Sequence, residues 1–165
     1  MNDSDKIILV VLGQAIKSEQ EGNDYYDDLA AKADDTIGKE MFERLALEEK
    51  NHEKEMMEKY DEIAERCGWE PYEGSGTMKF LDHLDIELPF IDEEHASFVG
   101  DASLSGNEVL TLAIEVEKAS ADFFMNAAVA VDQTDAKEFF VDLAKSEIKH
   151  AYILEHEIQR LASRG

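Results

Sequence analysis

The chain contains an internal repeat, because two pairs of its segments resemble each other at one common offset of 98 residues. Residues 15–30 (AIKSEQEGNDYYDDLA) align with residues 113–128 (AIEVEKASADFFMNAA), and residues 42–52 (FERLALEEKNH) align with residues 140–150 (FVDLAKSEIKH). The aligned pairs include Glu19 with Glu117, Tyr26 with Phe124, Glu49 with Glu147, and His52 with His150. A Glu-x-x-His pattern alone is weak evidence in a glutamate-rich chain, but its recurrence in a shared register indicates two similar halves.

Each half is predicted to form a helical hairpin. Apolar side chains recur at spacings of three and four residues, which is the period of an α-helix. The turn-forming stretches DDTIG (34–38) and DQTDA (132–136) interrupt this pattern once in each half. The predicted helices span residues 4–33, 37–67, 106–132 and 135–163. The fold class is therefore all-α.

The two hairpins are predicted to be joined by a long crossover, residues 68–104. This segment holds both prolines and shows no sustained helical pattern. A helix of roughly 28 residues is about 40 Å long, and a connection of this length can run that far even when it is partly folded. We therefore expect one domain, residues 1–165, in which a four-helix bundle has its second and third helices parallel.

The repeat also places acidic side chains at one height in the predicted bundle. In each half, 30 residues separate a lone glutamate from the glutamate of the Glu-x-x-His pattern, and the turn falls near the middle of that interval. Both glutamates of a hairpin then lie at the same level, at positions where the surrounding helix face is apolar. Four carboxylates and two imidazoles are expected to converge there.

Such a cluster predicts a dinuclear metal site. An unpartnered buried carboxylate costs several kcal/mol, on the order of a large share of a domain's stability, so a positive charge must balance each group. Two divalent cations would balance four carboxylates. The predicted metal ligands are Glu19, Glu49, His52, Glu117, Glu147 and His150. Acidic residues and histidines that do not lie on these apolar helix faces at the height of the ligands are expected to be solvated or in loops. They are Glu21, Glu48, Glu115, His83, His95 and His156.

The formal charge of -23 argues against nucleic acid or an anionic membrane as a partner, since both would be repelled. It favours metal ions or basic proteins, although high solubility or a salt-rich habitat would explain it equally well. Cys67 is the single cysteine, so no intrachain disulfide or paired-cysteine metal site can form and an electron donor must be external. The apolar run IILVVLG (7–13) is too short to cross a bilayer, which predicts a cytoplasmic protein.

At these residues the chain resembles the ferritin-like family, most closely rubrerythrin-type diiron proteins, in which a tyrosine follows the first glutamate by seven residues, as Tyr26 follows Glu19. The resemblance implies a ferritin-like four-helix bundle that binds two iron ions, with manganese or zinc as alternatives. It implies that Glu49 and Glu147 bridge the metals, that Glu19 and Glu117 are terminal ligands, and that His52 and His150 each bind one metal. Tyr26 is the candidate catalytic residue, through a hydrogen bond to a terminal carboxylate or as an oxidisable side chain. A core aromatic role is the alternative.

The chain departs from that family at three places. It lacks the four-cysteine rubredoxin-like domain, which implies an external donor such as a rubredoxin-like protein. Ser120 stands where rubrerythrins carry an additional glutamate ligand, and this departure predicts that His52 and His150 stay bound in both oxidation states of a nearly symmetric site. Lys50 stands where the related bacterioferritins place a haem-binding methionine, so no haem is expected.

The resemblance implies an oxidoreductase that reduces hydrogen peroxide, or more slowly dioxygen, with oxidation of Fe(II). The alternatives are iron oxidation for storage or detoxification, and a helical bundle that binds metal without turnover. A homodimer is also expected, because IILVVL presents apolar side chains around its whole circumference. The competing explanation is that Phe80, Leu81 and Phe90 of the crossover cover the outer face.

Overall fold

The computed structural model describes residues 3–69, 72 and 106–163, and this part of the chain folds into four helices. They are α1 (Asp3–Lys32), α2 (Thr36–Cys67), α3 (Gly106–Ala130) and α4 (Thr134–Ala162). Each helix begins and ends within two residues of its predicted bounds. The predicted all-α bundle is confirmed. Nearly all of the predicted crossover, including His83, His95, Phe80, Leu81 and Phe90, lies outside the described residues.

Each half forms a hairpin, since α1 packs along α2 and α3 packs along α4. The first turn is capped by Asp35, whose carboxylate accepts hydrogen bonds from the backbone N–H groups of Ile37 and Gly38, each at 3.2 Å. This contact satisfies donors at the start of α2 that have no partner within the helix. At the other end, Gly68 closes α2 with a φ of 70°, a conformation that costs glycine little because it has no Cβ.

The hydrophobic core consists of two clusters with the predicted metal ligands between them. The larger core cluster draws on residues 8–16, 56–64, 124–131 and 136–144. The smaller core cluster draws on residues 26–30, 41–46, 110–114 and 151–154. Both α2 and α3 therefore run from the smaller cluster to the larger one, while α1 and α4 run the opposite way. Parallel second and third helices are the arrangement that a long crossover permits.

The apolar run at the start of α1 is buried in the larger core cluster. Ile8, Leu9, Val11 and Leu12 are fully buried, and Val10 is nearly so. Within the run IILVVL, only Ile7 keeps part of its side chain exposed, so the broad apolar face on which the expected homodimer rested is missing from residues 7–12, and the dimer stays a prediction. Within the described ranges, no helix combines the length and the apolar character that crossing a membrane requires.

Candidate metal centre

The six predicted ligands lie together in the layer that separates the two core clusters. Each helix supplies part of the set, with one glutamate from α1, one from α3 and a Glu-x-x-His pair from each of α2 and α4. All six residues are at most 8% exposed. The helical period explains the placement, because a residue three or four positions from a core residue faces the same side of its helix.

The six side chains form two groups of four that share two members. One group consists of Glu19, Glu49, His52 and Glu147, and the other consists of Glu49, Glu117, Glu147 and His150. Each residue offers one ligand atom, and within a group these atoms all lie within 4.8 Å of one another. The shared members are Glu49 and Glu147, while each histidine and each of the other two glutamates belongs to one group.

The two oxygens of each shared glutamate face different histidines. Glu49 places Oε2 at 3.6 Å from Nδ1 of His52 and Oε1 at 2.9 Å from Nδ1 of His150. Glu147 places Oε1 at 3.2 Å from Nδ1 of His52 and Oε2 at 3.3 Å from Nδ1 of His150. Both carboxylates therefore lie between the two histidines, in position to bridge two cations.

The other two glutamates each approach a single histidine. Oε2 of Glu19 lies 3.4 Å from Nδ1 of His52, and Oε2 of Glu117 lies 3.5 Å from Nδ1 of His150. Each group therefore combines one terminal carboxylate, one imidazole nitrogen and one oxygen from each shared carboxylate. This is the ligand arrangement of dinuclear carboxylate proteins of the ferritin-like fold.

Several atoms of this cluster that could bind a metal lack the hydrogen bonds that buried polar atoms normally make. Within the described part of the chain, five of them are buried without a hydrogen-bond partner, namely Oε2 of Glu19, Oε1 of Glu49, Oε1 of Glu147, and Nδ1 of His52 and of His150. Buried polar atoms left in this condition destabilise a fold unless something else satisfies them. Oxygen and nitrogen donors in this number suit iron, manganese or zinc. The cluster therefore fits a dinuclear metal centre.

The four carboxylates of the cluster differ in the direction of their pKa shifts, which are upward for the terminal glutamates and downward for the shared ones. Burial, together with the charges of Glu49 and Glu147, holds the pKa of Glu19 well above its ordinary value. Burial and the same two charges also raise the pKa of Glu117, although contact with His150 opposes the shift. In both terminal glutamates, burial and the neighbouring carboxylates therefore favour the protonated form over the charged one.

The pKa values of the histidines and of the shared glutamates shift in the direction opposite to the one that burial alone would produce. Burial would lower the pKa of His52, but contacts with Glu147, Glu19 and Glu49 outweigh it and raise the pKa to about 12. Burial would likewise raise the pKa of Glu147, but close contacts with His150 and His52 bring it below its usual range. These shifts favour charged imidazolium groups beside charged Glu49 and Glu147 as long as no cation is bound. Metal binding must displace these protons.

Tyr26 contacts the centre through its hydroxyl group, which donates a hydrogen bond to Oε1 of Glu117. Burial and the neighbouring Glu117 charge raise the pKa of Tyr26 well above its ordinary value, so the group remains a neutral phenol that donates. Its ring stacks on Phe42 with centroids 6.3 Å apart. The repeat-related pair, Phe124 and Phe140, stacks in the same way at 6.5 Å.

Glu48 is a site residue that the sequence analysis placed wrongly. It was expected to be solvated, yet its side chain is only 23% exposed and Oε2 lies 3.1 Å from Nε2 of His150. Lys149 contacts the same oxygen at 2.7 Å. The repeat could not reveal this contact, because the residue related to Glu48 is Ser146. Three other residues that were expected to be solvated or in loops lie in the described part of the chain. Glu115 and His156 are exposed as expected, and Glu21 is half-buried.

Comparisons with known proteins agree with this assignment. Residues 11–74, which hold most of α1 and all of α2, match the family model of rubrerythrin, a family of the ferritin-like superfamily. The resemblance that the sequence predicted is thereby confirmed for the first hairpin. A solved structure of a hypothetical protein from Pyrococcus furiosus superimposes with a TM-score of 0.66 at 22% identity, over 94% of this chain and 90% of that one. At that identity the likeness shows the fold alone. No curated protein matches the chain.

Proposed function

We propose that this chain, whose first hairpin matches the rubrerythrin family, is a diiron oxidoreductase that reduces hydrogen peroxide, or more slowly dioxygen, to water. The observation that carries the proposal is the sharing of Glu49 and Glu147 between two four-residue groups. Two metals that bound these common carboxylates would lie close enough to act on one small substrate. When bound, two Fe(II) ions supply the two electrons that, with two protons, convert one peroxide molecule into two waters.

The protein's own contribution is to hold the ligands in place inside an apolar core. The two core clusters lie on either side of the ligand layer and exclude bulk water from it. In a medium of low dielectric constant, charges on the four carboxylates stabilise a rise in cation charge more strongly than they would in water. The fold therefore favours the oxidised, more highly charged state of the metals.

Tyr26 is the residue that we assign to the reaction besides the ligands. Its hydroxyl donates to the outer oxygen of Glu117 and so fixes the orientation of that carboxylate, with Oε2 directed toward His150. A buried phenol beside the centre is also an oxidisable group, and its raised pKa keeps the proton on the oxygen. The orienting role follows directly from the contact.

The proposal extends to the partners of the reaction. A single cysteine provides no rubredoxin-type iron site in this sequence, so the electrons would come from a separate donor such as a rubredoxin-like protein. We place the protein in the cytoplasm, where such donors are kept reduced. The charge of -23 makes a donor surface with basic residues the complementary one.

Iron oxidation for storage or detoxification is a second candidate, favoured by the acidic composition that would attract Fe(II). Storage requires a large hollow assembly, whereas peroxide reduction does not. Size-exclusion chromatography with light scattering separates the two. A dimer-sized or smaller particle supports the oxidoreductase, and a shell of many subunits supports storage.

The proposal is tested by loading the protein with Fe(II) without oxygen and then mixing it with peroxide or, separately, with air. We expect the diferric absorption to appear with both oxidants and faster with peroxide. Glu49→Ala, which removes a shared ligand, should show neither reaction, while Glu55→Gln on the exposed side of the same helix should behave like wild type. Absence of oxidation with either oxidant in the iron-loaded protein would instead indicate a bundle that binds metal without turnover.

A further inference from the structure

The two metal positions share the same ligand types but differ in the residues that support the ligands. His150 has its outer nitrogen, Nε2, 3.1 Å from Oε2 of Glu48. The repeat-related contact would join His52 to Ser146, which has no carboxylate. In the described part of the chain, the acidic groups within 4.0 Å of His52 all lie at Nδ1, on the side of the ligand cluster.

A second layer of support follows the same half of the centre. Lys149 lies 2.7 Å from Glu48 and restrains its carboxylate, whereas the residue related to Lys149 is Asn51. The His150 side chain is fully buried, and that of His52 is 10% exposed. His150 therefore lies in a closed environment with acidic groups within 4.0 Å of both of its nitrogens.

The terminal carboxylates show the same inequality. Glu117 accepts a hydrogen bond from the Tyr26 hydroxyl, while the residue related to Tyr26 is Phe124, which has no donor. Both supporting contacts, Glu48 to His150 and Tyr26 to Glu117, thus serve a single metal position.

We infer that Glu48 is a positioning residue for His150 and that, together with Tyr26, it makes the position of Glu117 and His150 bind its metal more tightly than the position of Glu19 and His52. A neutral imidazole that offers Nδ1 to a metal carries its proton on Nε2, and a carboxylate that accepts this proton fixes the ring and makes Nδ1 a stronger donor. This inference rests on the proposed dinuclear centre and adds an order of filling to it. The supported position fills first.

The test is a calorimetric titration of the metal-free, full-length protein with Zn²⁺, an ion without redox chemistry. Wild type should bind two Zn²⁺ in two steps of unequal affinity. His150→Ala should remove the tighter step and His52→Ala the weaker one, which assigns each step to a position. Glu48→Ala should weaken the tighter step roughly 10–100-fold and leave the weaker step unchanged, in line with the usual effect of losing such a partner.

Matched variants distinguish positioning from a general effect of charge or folding. Glu48→Gln keeps an acceptor and should lose less affinity than Glu48→Ala, while Glu55→Gln should change neither step. Tyr26→Phe makes the first hairpin resemble the second at this place and should also weaken the tighter step only. Circular dichroism of each metal-free variant checks that the helices remain formed.

The repeat permits a gain as well as a loss. The double substitution Ser146→Glu with Asn51→Lys transplants the Glu48 and Lys149 arrangement to the His52 side. It should strengthen the weaker step and bring the two affinities closer together. A gain cannot be produced by a damaged fold.

The outcomes separate the inference from the proposed function. Equal effects of Glu48→Ala on both steps, or no effect on either, would overturn the inference and leave the dinuclear centre in place. Fewer than two Zn²⁺ bound by wild type would contradict the centre itself. Two steps that respond as described would support both.

Discussion

The two hairpins of this protein carry the same metal ligands but surround them differently. Each hairpin supplies a lone glutamate, a Glu-x-x-His pair and a stacked aromatic pair at equivalent places. The residues one layer further out do not repeat, since Glu48 and Tyr26 have Ser146 and Phe124 as their counterparts. The atoms that must contact a metal tolerate little change, whereas the atoms behind them can change to make two similar positions unequal.

The turns of the two hairpins show a similar divergence. Asp35 caps α2 and also accepts a hydrogen bond from Arg160 of α4 at 2.9 Å. In the second turn, Gln133 makes no capping contact with its side chain and instead joins Arg66 of α2, at 2.7 Å, and Asp5 of α1, at 2.6 Å. Each turn is thus tied to an end of the opposite hairpin, but through different residues. These ties hold the hairpins in the register that aligns the ligands.

The largest expected effect concerns the shared ligands, which the two hairpins contribute equally. Glu49→Ala and Glu147→Ala should each lose both metals, because each removes an oxygen from both groups. Glu19→Ala and Glu117→Ala should each lose one metal at most. Elemental analysis of protein loaded with excess Fe(II) and then desalted measures the difference. Two metals retained in Glu49→Ala would show that this carboxylate is not shared.

The second-largest expected effect is a difference in stability between variants of the two stacked aromatic pairs. Phe140→Ala should lower the free energy of unfolding by roughly 3–5 kcal/mol, the usual range for removing a buried phenylalanine from a core. Phe42→Ala should cost less, because Phe42 is 9% exposed in the smaller core cluster while Phe140 is fully buried in the larger one. Urea denaturation of the metal-free proteins gives both values. If Phe42→Ala lowered the free energy of unfolding by as much as Phe140→Ala or more, the buried fraction of each side chain would not explain its contribution to stability.

A smaller effect separates the two turns. Asp35→Ala should lower the melting temperature by roughly 2–4 °C through loss of the helix cap, with Asp34→Ala as an exposed neighbouring control. The hydrogen bond from Arg160 comes first among the contacts that lower the pKa of Asp35 below 3.8, so the folded state favours the charged form. The stabilisation is therefore present above the unfolded pKa and is lost as the pH falls through the folded one. Thermal melts from pH 7 down to pH 3 should show that the difference in melting temperature between wild type and Asp35→Ala becomes smaller only at the acidic end of this range.

The smallest expected change is in the ligands themselves during oxidation. Position 120 carries serine, and its counterpart in the first hairpin is Gly22. A Cβ added at Gly22 would lie 3.6 Å from Cγ of Glu49, at ordinary van der Waals distance. Neither place provides a seventh protein ligand. Both histidines should therefore stay bound in structures of the oxidised and reduced protein, with inequality confined to affinity. A metal that leaves His52 in either state would contradict this, and Ser120→Glu is the variant in which such a movement is expected.

The residue pattern by itself determined the helices, the hairpins and the six residues that the fold brings together between the core clusters. Helical period is a local property of the chain, and the 98-residue offset specifies which residues are equivalent without any knowledge of their contacts. Spacing from the turn then sets the height of each ligand in the bundle, since every helical residue advances by about 1.5 Å. The same reasoning left the surroundings of the ligands undetermined and placed Glu48 in solvent.

Only the tertiary structure decided which side chains support the ligands. Glu48 and His150 are 102 residues apart, and Tyr26 and Glu117 are 91 residues apart. Contacts of this kind depend on how far each helix is rotated about its axis and shifted along its neighbour, quantities set by the packing of the whole core rather than by any segment of it. The burial of the apolar run of α1 depends on that packing too. The chain therefore specifies two equivalent sets of ligands, and the folding of one hairpin against the other makes them unequal.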